Sequence, residues 1–304
     1  MFNFLVYTLS PFNFNCGGLV VQYEFCRIID SLGFKIKIYA PEKIPNSIFS
    51  NYYEDDYDLN ETFVIYGETI EGNPLNAPHV VRWILAPLGI ACESKLTTWN
   101  EGDLVYYFNP NTYFFNNPDK VGGIYKLLTV IYLNPIIKNY NLSGRIGYCH
   151  TLRKSHYHKI LKLAHPPKTS TEITREHKML EVINIFNKKK IFISYDPLTF
   201  LNVMAALCGC ISVVVKVDGL SETEWLQTTA VYPYLKDNNL NKLYGIAYGL
   251  SEIDWAKNTI HLVKEQWSNI LVYTTEKSIL PFIDYIRKLS NGENLENTVK
   301  NNFS

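Results

Sequence analysis

IFISYDPLTFLNVMAALCGCISVVV occupies residues 191–215, and its reading decides the fold. Ile191–Ser194 is a short apolar run of β type. Pro197 fixes a turn, and a helix-type pattern runs from Thr199 to Leu207. After Gly209, Ile211–Val217 is a second β-type run rich in branched residues. Strand, turn, helix and strand in this order form one unit of a parallel sheet. The helix start predicts free N–H groups at Thr199, Phe200 and Leu201, a cradle for an anion with the Thr199 hydroxyl beside it. An ordinary capped helix has the same pattern.

The same alternation extends outward. Asn3–Thr8 reads as a strand and Asn13–Gly18 as a loop with a glycine pair. Leu19–Leu32 reads as a helix ended by Gly33, followed by a strand over Phe34–Ala40. Phe63–Tyr66, Val80–Leu85 and Leu104–Phe108 are further strands. The pattern restarts with a strand at Gly144–Cys149 and helices at His156–Ala164 and Thr174–Asn187. Helices at Ile253–Trp267 and Lys277–Leu289 close the chain. These runs predict an α/β protein with parallel strands in two halves, residues 1–140 and 141–304.

Composition narrows the function. Of 304 residues, 47% are hydrophobic and 19% charged, which excludes global disorder. Lys+Arg and Asp+Glu number 29 each, so a protein coating nucleic acid through overall charge is not expected. The charge is nevertheless uneven. No acidic residue lies between Asp119 and Glu172, an interval with nine basic ones: Lys120, Lys126, Lys138, Arg145, Arg153, Lys154, Lys159, Lys162 and Lys168. His150, His156, His158 and His165 lie there too. This is a solvated basic face or an anion site. Arg153-Lys154, just past a strand end, suit a diphosphate. Six cysteines are too few for a disulfide scaffold and read as reduced thiols of a cytoplasmic protein. The longest uncharged stretch, Pro197–Val215, is broken by Pro, Asn and Gly, so no transmembrane segment is expected.

Ser194-Tyr195-Asp196-Pro197-Leu198-Thr199, the small-residue run Ala205–Gly209, the upstream RIGYCHTLRK and the downstream YGIAYGL together resemble a family. It is the group of polysaccharide- and lipopolysaccharide-type glycosyltransferases with a Ser-Tyr-Asp-x-x-Thr signature, within the GT-B class. The match covers about residues 144–260; the first half follows only the general plan. The resemblance implies two Rossmann-like domains facing each other across a cleft, the first on the acceptor side. It implies a nucleoside-diphosphate-sugar donor, a glycan or similar acceptor, and no metal or other cofactor. Arg153 and Lys154 would hold the diphosphate and assist its departure. Thr199 and Phe200 would offer amides to phosphate, and Asp196 would face the sugar hydroxyls. Ser194, Tyr195, Tyr248 and Gly249 would border the donor. Cys16, Gly17 and Gly18 would border the acceptor. Met204 departs from the pattern, because GT-B enzymes often carry a ribose-holding glutamate there. An inverting reaction needs a base in the first half, and His79, Glu93 and Asp103 are open candidates.

Other signals are weaker. Asp56-Tyr57-Asp58 and His156-Tyr157-His158 are short patterns expected by chance. Neither a Walker A motif nor Gly-x-Gly-x-x-Gly occurs. A binding protein descended from such a transferase but without activity is the alternative. Nucleic-acid binding through residues 120–171 is a third and more remote reading.

Overall fold

The computed structural model describes residues 2–14, 16–43, 49–53, 57–86, 98–109, 126–153, 158 and 163–293. Lys154, Glu93, Asp56, His156 and Lys120 lie outside the described residues. The chain divides into two compact units. Unit 1 is Met1–Tyr132 with Leu271–Ser304, and unit 2 is Leu133–Ile270.

Unit 1 holds β1 (Asn3–Tyr7), α1 (Gly17–Ser31), β2 (Ile36–Tyr39), β3 (Thr62–Gly67), β4 (His79–Ile84) and β5 (Leu104–Tyr107). Its strands pair in parallel in the order β2-β1-β3-β4-β5. Alternate strand residues enter two separate cores. Phe4, Val6, Phe63 and Ile65 enter one, and Leu5, Val64 and Tyr66 the other. Both faces of the sheet are therefore covered, as the continuous apolar strands require.

Unit 2 holds β6 (Tyr148–Thr151), β7 (Thr171–Glu172), α2 (Met179–Lys188), β8 (Ile191–Ser194), α3 (Leu201–Leu207) and β9 (Ile211–Val214). Next come α4 (Glu222–Gln227), α5 (Tyr232–Asp237), β10 (Ile246–Tyr248), α6 (Ile253–Thr259) and α7 (Val263–Thr274), whose residues from Leu271 on count with unit 1. This sheet too is parallel, in the order β10-β9-β8-β6-β7. Counted from each unit's own first strand, both orders are 2-1-3-4-5. Two five-stranded parallel sheets agree with the expected pair of Rossmann-like halves.

The expected division at residue 140 needs two corrections. The junction is at 132/133, and the chain end returns to unit 1. After a π-helical turn at Thr275–Ile279, α8 (Leu280–Ser290) places Phe282, Ile283 and Ile286 in the core of unit 1. Phe282 packs against Phe4 at 5.7 Å and Tyr106 at 4.9 Å between ring centroids. An apolar stripe this pronounced must be buried somewhere, and the first sheet supplies the surface.

Element edges also shift. Gly144 and Gly147 adopt positive φ, so the strand expected from Gly144 starts only at Tyr148. The strand after Gly209 stops at Val214. The predicted helix Thr174–Asn187 forms only from Met179, after the short strand β7. Of the predicted helix His156–Ala164, only His158, Leu163 and Ala164 are described, and none is helical.

Candidate functional site

In unit 2 the parallel register aligns the last residues of four strands in one row. Ser194 lies opposite both Thr151 and Val214, and Val214 opposite Tyr248. The next residues of each strand, Arg153, Asp196, Lys216 and Gly249, therefore emerge at one edge. The chain leaves β6 toward β7 on one side and β8 toward β9 on the other. Ligands of parallel α/β sheets bind at this crossover.

Arg153 and Asp196 stand on the two sides of the crossover and within electrostatic reach of each other. Burial pulls the Arg153 guanidinium below its ordinary pKa, nearby Arg175 adds to the shift, and Asp196 opposes it. Arg153 and Arg175 thus lie within electrostatic reach of each other, and an anion bound near both would offset their repulsion. Arg175 follows β7, and the sequence reading missed it. Asp196 is buried, and its Oδ1 accepts the Leu198 N–H at 3.0 Å. The Ser194 hydroxyl is buried with it, donating to the Asp196 carbonyl at 2.8 Å. That bond fixes the turn and leaves Ser194 without a ligand-facing role.

The expected amide cradle is smaller than predicted. Helix α3 starts at Leu201, and the Leu201 N–H donates to Thr199 Oγ1 at 3.3 Å. The Thr199 hydroxyl is thus taken up in the turn before α3, whose N-cap Phe200 makes no side-chain cap. The Phe200 ring is partly exposed and meets Trp267 edge-on at 6.3 Å.

Two expected donor contacts face inward. Tyr195 is fully buried; its hydroxyl accepts the Ala164 N–H at 2.6 Å and pairs with His165 Nδ1 at 2.9 Å. Tyr248 stacks on Trp225 at 4.9 Å, accepts the Val217 N–H and donates to the Leu220 carbonyl. Both tyrosines anchor the loops around the edge with saturated hydroxyls. Gly249 does lie at the edge. Its φ of +90° and the Lys216 side chain, 2.5 Å from where a Cβ would stand, both require glycine. Beside it lies a cavity of about 320 Å³ lined by His158, Leu163, Val215, Lys216, Asp218 and Gly249.

Two described members of the basic interval have structural surroundings of their own. Arg145 is spent on structure, donating to the carbonyls of Phe186 and Cys208 at 2.6 Å each. Lys126 belongs to unit 1 and sits 3.2 Å from the centre of the Tyr285 ring. Burial pushes its pKa down to about 8. Met204 packs in the core of unit 2 with Ile183 and Phe192, so its position offers nothing polar to a ribose.

Unit 1 has a matching crossover between β1 and β3. Cys16, Gly17 and Gly18 lie there at the start of α1. So does a carboxylate that the sequence reading missed, Glu68, directly after β3. It is buried, and its Oε2 accepts the Leu85 N–H at 3.0 Å. Burial raises its pKa, against the amides that bond it. The expected bases fare differently. His79 opens β4 at the opposite edge, stacked on Phe63 at 5.0 Å. Asp103 is paired with the fully buried Arg82 at 2.7 Å. A larger cavity, about 480 Å³, also lies at that opposite edge of unit 1, lined by Phe2, Glu61, Phe63, His79 and Leu104.

Among the described residues, no group of three or more His, Cys, Asp or Glu side chains is arranged to hold a metal. None of their helices is long and apolar enough to cross a membrane. No protein-family model matches the chain, and no curated protein matches it.

Proposed function

We propose that unit 2 binds the diphosphate of a nucleotide-sugar, and that the protein is a glycosyltransferase of the GT-B plan acting on a glycan or similar hydroxyl acceptor in the cytoplasm. The observation that carries this reading is that Arg153 follows β6 and Asp196 follows β8 on the two sides of the crossover of a parallel sheet, with Arg175 within electrostatic reach of Arg153. In the reaction, the bond from the sugar's anomeric carbon to phosphate breaks, and its electron pair passes to the departing diphosphate. Arg153 and Arg175 stabilise that charge, with Lys154, the next residue in the sequence, as a further cation. The Thr199 and Phe200 amides add donors, and Asp196 takes hydrogen bonds from the sugar hydroxyls. The acceptor oxygen bonds to the anomeric carbon and gives up its proton to the departing diphosphate or to water. Guanidinium charge does the work that a divalent cation does in metal-dependent transferases, so EDTA should leave transfer unchanged.

Calorimetric titration with nucleoside diphosphates, followed by a transfer screen over nucleotide-sugars, tests the reading. Saturable binding that weakens at least about tenfold in Arg153→Ala is expected. Equal affinity in wild type and variant removes the diphosphate assignment. A second reading, nucleotide-sugar binding without transfer, is favoured by Met204 in place of a ribose-holding carboxylate. Binding with no turnover of any donor would select it.

A further inference from the structure

At the edge of the second sheet opposite the crossover, the chain enters β6 and β8 through two cationic segments. Residues 133–147 carry Lys138 and Arg145, and residues 182–190 carry Lys188, Lys189 and Lys190. Neither segment contains an Asp or a Glu. Hydrogen bonds tie the two together. Arg145 donates to the Phe186 carbonyl at 2.6 Å and to Asn139 Oδ1 at 2.7 Å. The buried Asn187 accepts the Tyr140 N–H at 2.7 Å and donates to the Lys138 carbonyl at 3.1 Å. The Ile146 N–H donates to the Lys188 carbonyl at 3.2 Å, and the Lys190 N–H to the Gly147 carbonyl at 3.1 Å. The loop is thus braced, yet it holds aliphatic side chains in water. Ile146 is 74% exposed, more than any other large hydrophobic residue described, and Leu142 is 45% exposed. Neither joins a core cluster. Lys138, Lys188 and Lys190 are exposed as well, and none of them, nor Lys189, forms an ion pair with a described residue. Lys188 has an ordinary use, offsetting the dipole at the end of α2. A single exposed leucine is ordinary too. Two aliphatic chains on a braced loop beside four lysines form a surface that packing within the fold does not explain.

We infer that this edge docks on an anionic lipid surface, with Leu142 and Ile146 entering the acyl boundary and Lys138 and Lys188–Lys190 lying among acidic headgroups. Charge complementarity and side-chain type select the partner. Interfacial anchoring combines apolar side chains, which gain by leaving water, with lysines, whose long stems keep the ammonium at headgroup level. Each lysine near an acidic bilayer strengthens attachment about fivefold at low salt, so several together make a weak apolar anchor effective. The exposed Tyr140 suits the same boundary, with an apolar ring and a polar tip. A protein partner is less suited, because lysine is depleted at protein interfaces. Single-stranded nucleic acid is less suited, because its bases stack on aromatic rings and Leu142 and Ile146 offer none. The inference does not rest on the function proposed above, since a nucleotide-sugar would bind at the other edge of the same sheet.

The test uses the full chain and vesicles of phosphatidylcholine, alone or mixed with phosphatidylglycerol, read by sedimentation. The protein should pellet with the mixed vesicles, be released by added salt, and stay in solution with phosphatidylcholine alone. Leu142→Ser with Ile146→Ser should weaken binding at least about fivefold, and Lys188→Gln with Lys190→Gln at least about tenfold. All four positions are exposed, so both double variants should melt as wild type does. Lys264→Gln, which changes an exposed lysine on α7, should bind vesicles as wild type does. No binding to the mixed vesicles overturns the inference, as does wild-type binding in both double variants. Loss in the lysine variant alone, together with equal binding of a short RNA, would replace it with a polyanion site. A dimer in analytical ultracentrifugation that Leu142→Ser with Ile146→Ser dissociates would replace it with a contact between copies. Arg153→Ala should leave vesicle binding unchanged, so the lipid and nucleotide readings stand or fall separately.

Discussion

The two sheets share one strand order yet differ at the same topological point. Unit 1 presents a carboxylate and an amide, Glu68 and Gln22. Unit 2 presents two guanidiniums and a carboxylate, Arg153, Arg175 and Asp196. One topology thus carries a crossover with an acidic and an amide side chain and another that is mainly basic. The sheet sets where a ligand lies, and the residue or two after each strand set which ligand it is. The units differ in construction as well. The core of unit 2 comes from one continuous stretch, whereas unit 1 needs α8 from the far end of the chain.

The largest expected effect tests that difference in construction. Phe282→Ala should cost about 3–5 kcal/mol in denaturant-induced unfolding, the usual loss for a fully buried phenylalanine. A cost under about 1 kcal/mol would mean that α8 is not part of the first core. Next comes the electrostatic contrast. Arg175→Ala should weaken nucleoside-diphosphate binding roughly tenfold to a hundredfold. Adding it to Arg153→Ala should give less than the sum of the two single effects, because each guanidinium also relieves the other's repulsion when removed. Salt tests the basic crossover again. Raising ionic strength from about 0.05 to about 0.5 M should weaken diphosphate binding several-fold. Binding indifferent to salt would mean that Arg153 and Arg175 do not hold the diphosphate.

The smallest effects are pH signatures of opposite sign. In unit 2, burial lowers the pKa of His150 and of His165, stacked on it at 3.6 Å; for His150 the neighbouring His165 adds to the shift, and Glu172 opposes both. A lowered folded-state value means that the neutral pair contributes stability above the unfolded value of about 6.5, and loses it as pH falls. His165→Asn should therefore flatten the decline of melting temperature between about pH 7 and 5. In unit 1, Glu68 has a raised value, so its contribution is complete below the unfolded value and is lost as pH rises through the folded one. Glu68→Gln should melt higher than wild type near pH 8, and the gain should shrink toward pH 4.

Much of this was legible in the sequence. Ile191–Ser194 and the turn at Pro197 fall where the apolar run and the proline place them, because local pattern dominates in buried parallel strands. Arg153 and Asp196 could be proposed as neighbours because both follow strands. Arg175 could not, since Thr171–Glu172 is a two-residue strand with no apolar run to announce it. Glu68 was available in principle, as a carboxylate directly after the apolar run TFVIYG. Helix α4 also carries a readable sign, the capping box of Ser221 and Glu224, which went unused. Tyr195 and Tyr248 show the opposite limit. Their place beside the turns is plain from the sequence, but whether a hydroxyl turns toward solvent or a backbone amide depends on loops far along the chain.

The return of α8 has a consequence for biosynthesis. Emerging from the ribosome in order, β1 to β5 have no complete core to fold around until Ile286 has cleared the exit tunnel. Residues 133–270 meet no such delay. The later half can thus finish first, while in the earlier half Phe4, Phe25 and Tyr106 still lack the Phe282 ring that packs on them.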